Sequence, residues 1–264
     1  DTARAFGNAQ PGPVEGTYDV AVIGGGFTGL NAARKLAREG VSVALLEADH
    51  IGAGGSGRNG GHLNNGIAHG FAEAVAHLGK DRATALYHAY DRSIDMIEAI
   101  IAEENIACDF RRSGKLKLAS KPSHVDGLKA NFDLIHKEVD SETRWLEKSE
   151  LSAEIASDCF HGGMIYAKSA MMHMGRYANG LAEAAHRHGA HIWEGAPVTD
   201  QKRTGTSWEL LTPKGKIKAD RVIAATGAYS GRIKGAPLDY FRRGSLPYRI
   251  NALMPNPVRS CKLD

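Results

Sequence analysis

The stretch VIGGGFTGLNAARKLAREGVSVALLE, residues 22–47, decides the fold. It begins inside a short apolar run, Tyr18 to Ile23, with the pattern of a parallel strand buried on both faces. Phe27 to Glu39 then carries apolar residues at helical spacing. Leu30, Ala33, Leu36 and Ala37 lie on one side, and Arg34, Lys35 and Arg38 are expected on the opposite, polar side. Gly40 supplies the usual helix stop, and Val41 to Leu46 reads as a second buried strand ending at Glu47. Strand, helix and parallel strand in roughly 30 residues make a βαβ unit.

At the turn between the first strand and the helix, Gly24, Gly26 and Gly29 form G-x-G-x-x-G. The first glycine permits the tight turn, the second lets a pyrophosphate approach, and the third lets helix and strand pack closely. Phe27 and Thr28, inside the motif, open a helix whose free N–H groups and dipole favour phosphate. Glu47, 23 positions after Gly24, can accept hydrogen bonds from ribose hydroxyls and repels a 2′-phosphate. The pattern predicts a dinucleotide, NAD or FAD, and speaks against NADP.

A second glycine-rich loop, GAGGSGRNGGH over residues 52–62, follows at once. An NAD-dependent dehydrogenase has no need of it, whereas a flavoprotein must wrap the part of its cofactor that extends past the first loop. Together VIGGGFTGL (22–30), LLEA (45–48), GGSGRNGG (54–61) and IAATGAYS (223–230) resemble the FAD-dependent amine and D-amino acid oxidase (DAO) superfamily, with the gamma-glutamylputrescine oxidase-like branch most similar at the second loop. The resemblance spans roughly residues 17 to 240. It implies an α/β fold: a Rossmann-like FAD-binding domain of a GR2-type flavoprotein with an interleaved α+β substrate domain. The FAD-binding domain is expected at 17–80 and 150–235, part of the substrate domain at 81–149, and an irregular tail at 236–264.

The resemblance also assigns residues. Ser56, Arg58, Asn59, Gly60 and Gly61 would lie along the pyrophosphate and the flavin ring, where Arg58 can make charge-assisted hydrogen bonds. Val198, in GAPVTD, would hold the adenine through its backbone, and Thr226 and Gly227 would end a strand flanking the adenine side. Relatives that attach flavin covalently here use His or Cys; Asn59 stands at the matching position, so FAD is expected to be non-covalent. The implied reaction moves hydride from the carbon beside an amine nitrogen to the flavin, and water hydrolyses the imine. Reduced flavin then passes its electrons to O₂ or another acceptor. No catalytic base is assigned. His62, His173 and Tyr248 are read as structural or tail residues. Relatives continue well past residue 240, so the chain reads as C-terminally truncated, and a remnant that keeps the FAD fold without turnover is the alternative.

Composition bounds the rest. The formal charge of +3 over 264 residues does not point to nucleic acid. No apolar run reaches the roughly 18 residues of a membrane span, the N-terminus lacks a signal-peptide core, and the cytoplasm is the expected location. Cys108, Cys159 and Cys261 form no C-x-x-C pair and read as free thiols. His186, His188 and His191 straddle a helix end, a poor arrangement for a metal. Met164, Met171, Met172 and Met174 read as core filling, and Glu103-Glu104 as the solvated end of a long helix.

Overall fold

The computed structural model describes residues 3–66, 70–227, 229 and 233–234. β1 (Thr17–Ile23), α1 (Phe27–Arg38) and β2 (Val43–Leu46) form the βαβ unit. β3 (His62–Leu63), α2 (Phe71–Leu78), α3 (Lys80–Glu104) and β4 (Lys115–Leu118) come next. A 3₁₀ turn at Pro122–His124 leads into α4 (Val125–Glu138), followed by β5 (Arg144–Leu146), a second 3₁₀ segment (Lys148–Ala153), β6 (Gly163–Tyr166) and β7 (Ala170–Met171). The chain returns through α5 (Met174–Arg187), β8 (His191–Trp193), β9 (Asp200–Thr204), β10 (Ser207–Thr212) and β11 (Gly215–Ala224).

The main sheet has the order β8-β2-β1-β11-β10-β9. Its first four strands are parallel, and β11-β10-β9 form an antiparallel meander. β11 is one continuous strand of 10 residues. The first half of β11 pairs antiparallel with β10 while the strand runs parallel to β1 from Lys218 to Ala224. Beyond Asp220 no described strand covers its other edge.

Burial on both faces explains the apolar runs. Val20, Val22, Val43 and Leu45 face α1 and α5, whereas Ala21, Ile23, Ala44 and Leu46 join Trp193, Leu210 and Ile217 on the other side. A separate antiparallel sheet, β4-β6-β5, alternates in the same way. Met164 and Tyr166 pack beneath α2, α3 and α4, and Ile165 packs on Leu146 and Leu151. The methionines therefore do not form one cluster. Met164 lies in this second core, Met172 and Met174 in the first, and Met171 is exposed.

Two charges expected in solvent are buried. Arg34 is 5% exposed and Glu104 7%, and the Arg34 guanidinium donates to a Glu104 carboxylate oxygen at 2.8 Å. Glu104 also accepts from Arg187 at 3.1 Å and lies 3.0 Å from His188 Nε2. Burial pushes the Glu104 carboxyl up, but the hydrogen bonds and charges of Arg34 and His188 reverse this and hold it below the usual range. The end of α3 is thus the joint at which α1, α3 and α5 meet. His191 instead bonds the Tyr18 hydroxyl at 2.8 Å, and the ring of His173 accepts from the Arg176 N–H at the start of α5. Tyr248 and Cys261 lie outside the described residues.

Candidate functional site

The carboxyl ends of β1, β2 and β11 rim a crevice, the place where open parallel sheets bind ligands. A pocket of about 370 Å³ opens there. Gly24 and Gly26 line it from the first loop, Ser56 and Arg58 from the second, Glu47 from the end of β2, and Val198, Thr226 and Gly227 from beyond β8 and β11. The glycines of the first motif are fixed by backbone crowding. A Cβ on Gly29 would stand 1.9 Å from the Gly24 carbonyl oxygen, and one on Gly24 would stand 2.6 Å from that of Ala225.

The two loops form one unit. The Ser56 hydroxyl oxygen accepts the Phe27 N–H at 3.0 Å, capping α1 from outside the helix. The Gly52 N–H donates to the Gly25 carbonyl at 3.1 Å, and Glu194 holds the Ile51 N–H at 2.6 Å. Glu47 accepts the Gly25 N–H at 2.5 Å and the Asp49 N–H at 2.9 Å, so its carboxylate is oriented by the motif beside it. The Gly26 and Thr28 amides have no acceptor among the described residues. Arg58 is exposed, anchored only by a 3.3 Å bond from its Nε to the Gly54 carbonyl, and meets no acidic side chain among the described residues. The buried Val198 lines the pocket with neither its N–H nor its C=O bonded to a described backbone group.

Phe27, Thr28, Gly29, Asn59, Gly60 and Gly61 do not line this pocket. Phe27 packs against Tyr177, with ring centroids 5.4 Å apart. Asn59 turns onto its own loop, donating to the Gly55 and Ser56 carbonyls and accepting from the Gly61 N–H, each at 3.0 Å. Gly61 is required by the fold, since a Cβ there would lie 2.2 Å from the Met172 carbonyl oxygen. Pro197, Ala53 and Tyr229 line the pocket without having been singled out by the sequence. Two of them adjoin or lie within the motifs around Val198 and Gly227, which is the signal that could have found them.

Amides without acceptors at a helix start, an exposed guanidinium that meets no acidic side chain among the described residues, and an acid at the end of β2 are groups of the kind that a phosphate-linked nucleoside calls for. Residues 19–257 match the family described as DAO, FAD dependent oxidoreductase. The chain belongs to that family. The match runs further than the sequence reading, which ended the resemblance near residue 240.

Similar DAO-family proteins include the "Probable oxidoreductase OrdL" of Haemophilus influenzae, 35% identical over 247 residues, covering 93% of this chain and 57% of that protein. The "Gamma-glutamylputrescine oxidoreductase" of Escherichia coli K12 is 33% identical, over 81% of this chain and 50% of its own length. The glycine oxidase structure from Geobacillus kaustophilus superposes with a TM-score of 0.66 at 25% identity, over 82% of this chain and 57% of that one. The chain thus spans about half the length of the relatives it matches. No helix among the described residues is long and apolar enough to cross a membrane.

Proposed function

We propose that this chain carries the FAD-holding part of an amine or amino acid oxidoreductase. The observation that carries the reading is the joint pocket of the two glycine loops, with Glu47, Arg58 and the backbone of Val198 converging on it. In this reading the Gly26 amide, the start of α1 and Arg58 hold the pyrophosphate. Glu47 takes the ribose hydroxyls, Val198 takes the adenine edge through its peptide groups, and Thr226 and Gly227 close the adenine side. Asn59, Gly60 and Gly61 shape the segment that runs toward the flavin.

Bound FAD supplies the two-electron acceptor, and the protein contributes binding, orientation and electrostatics. Non-covalent attachment is supported by the Asn59 side chain, whose amide holds its own loop. His62 lines a different cavity. The substrate is a primary or secondary amine or an amino acid, oxidised at the carbon beside nitrogen, and the electrons pass on to O₂ or another acceptor. Free thiols at Cys108 and Cys159 accord with a cytoplasmic location.

The test is the absorption spectrum of the purified chain after gel filtration with FAD, followed by anaerobic addition of amines. Retained flavin bands that bleach with an amine support the reading, and release of the flavin by acid precipitation supports non-covalent attachment. Retained flavin without bleaching by any amine favours the non-catalytic reading. A chain that retains no flavin refutes the proposal.

A further inference from the structure

A second cavity, of about 580 Å³, lies between β4 and β6 on one side and α2, α3 and α4 on the other. It shares no residue with the pocket of the two glycine loops. Its titratable lining is Lys115 and Lys117 on β4, His62 on β3, Tyr87 and Tyr90 on α3, and Tyr166 on β6. α2 and α4 present no titratable side chain to it, and no Asp or Glu lines it among the described residues.

Alternation along β4 puts Lys115 and Lys117 on the same face. Lys115 is half-buried, and its Nζ rests 4.0 Å from the centroid of the Tyr166 ring. The buried acid of this region is engaged elsewhere: Asp140 accepts from the Tyr87 hydroxyl and the Asn65 amide, each at 3.2 Å, and Lys168 stands 3.4 Å from its other oxygen. Burial, then the Lys117 charge, pushes the Lys115 amine down to about 8. At pH 7 about one in ten of these amines is therefore neutral, against on the order of one in 3,000 for an ordinary lysine. A neutral amine has a lone pair to give, and the surroundings call for negative charge. An anion formed on the Lys115 nitrogen itself would meet Lys117 and the His62 imidazole, with no carboxylate lining the cavity to repel it.

We propose that Lys115 is a site of reversible carbamylation by dissolved carbon dioxide. The Nζ lone pair attacks the carbon of CO₂, an N–C bond forms as one C=O electron pair moves onto oxygen, and an N–H proton passes to water. Nothing is oxidised or reduced. The product is an N-carboxylate, which replaces one of two neighbouring ammonium groups by an anion and so turns like-charge repulsion along β4 into attraction. Loss of CO₂ restores the amine, so the charge lining the cavity follows the carbon dioxide level. The inference uses no residue of the first pocket and stands whether or not the chain holds FAD.

The test equilibrates the 264-residue chain with ¹³C-labelled carbon dioxide and bicarbonate at pH 7.5, ethylates any carbamate with triethyloxonium, and maps the label by peptide mass spectrometry. The chain's α-amino group, whose ordinary pKa is close to that of Lys115, is the internal standard. Lys115 should carry at least as much label as that group and more than any other lysine, and the label should disappear when the sample is degassed before trapping. Lys115→Arg, which keeps the charge but offers no nucleophilic amine, should lose it. Lys117→Met should lower labelling of Lys115 by about threefold or more, since it both raises the fraction of protonated amine and removes the cation beside the carbamate. Circular dichroism confirms that both variants are folded, and the parent's own label map decides the question if either is not. Label confined to the α-amino group, label spread evenly over the lysines, or undiminished labelling of Lys115 in folded Lys117→Met overturns the inference.

Discussion

Replacing Glu104 by Gln keeps the shape of the joint between α1, α3 and α5 and removes its negative charge. The Glu104 side chain is 4% exposed and that of Arg34 6%, so the guanidinium would be left inside the protein without its main partner. Breaking a buried pair from one side costs about 3–5 kcal/mol. Glu103 still lies 3.3 Å from Arg34 and is half-exposed, while Arg187 and His188 can turn to water, so the low end, about 3 kcal/mol, is expected. At about 2–4 °C per kcal/mol for a domain of this size, thermal unfolding should fall by about 6–12 °C. Differential scanning calorimetry or denaturant unfolding reads this directly. The double replacement Arg34→Met with Glu104→Leu should recover most of the loss, since an apolar pair restores packing without a stranded charge. The folded-state pKa of Glu104 is lowered, so its contribution is present above the unfolded carboxylate range and lost as pH falls through the folded value. The gap between parent and Glu104→Gln should therefore close only in acid. A Glu104→Gln midpoint within 2 °C of the parent, or a double variant as unstable as the single one, would refute the reasoning.

Gly29→Ala drives a Cβ into the Gly24 carbonyl, and should cost about 1–3 kcal/mol by overpacking together with the flavin retained after gel filtration. Asp91 is buried with both carboxylate oxygens lacking hydrogen bonds, and burial raises its pKa. Its ionisation therefore opposes folding above the unfolded carboxylate range, and Asp91→Asn should gain up to about 1 kcal/mol at pH 8 with the gain vanishing near pH 4; equal stability at both pH values would count against it. Burial pushes the Cys108 thiol up, while Cys159 is exposed. Iodoacetamide at pH 7.5, followed by peptide mass mapping, should modify Cys159 and spare Cys108 until the chain is unfolded.

The βαβ unit was legible because, Arg34 apart, it follows local rules: Val20–Ile23 and β2 are buried on both faces, and the glycines of the motif stand where backbone meets backbone. The same locality carried eight of the assigned cofactor residues to one pocket, since they sit in short motifs at strand ends. Arg34 and Glu104 misled the reading because each is polar by helical pattern, and only a contact spanning 70 positions turns them inward. The strands β3, β5 and β7 have too few residues to show a period, β6 is buried along its whole length and so shows no alternation, and pairing across the chain defines all four. Lys115 and Lys117 belong to the alternating KLKL strand, a pattern that marks one face as polar without saying that helices will roof it. Asn59 matched a family position, yet its side chain is spent on holding a turn.

The Ser56 cap on α1 has a consequence for protein engineering. A first loop transplanted alone into another βαβ scaffold would arrive with its leading amide unsatisfied and with Gly25 missing the strut that Gly52 provides. Transplantation of a single continuous cassette from β1 through Ser56 would carry both contacts along. Insertions between the two loops should then be poorly tolerated.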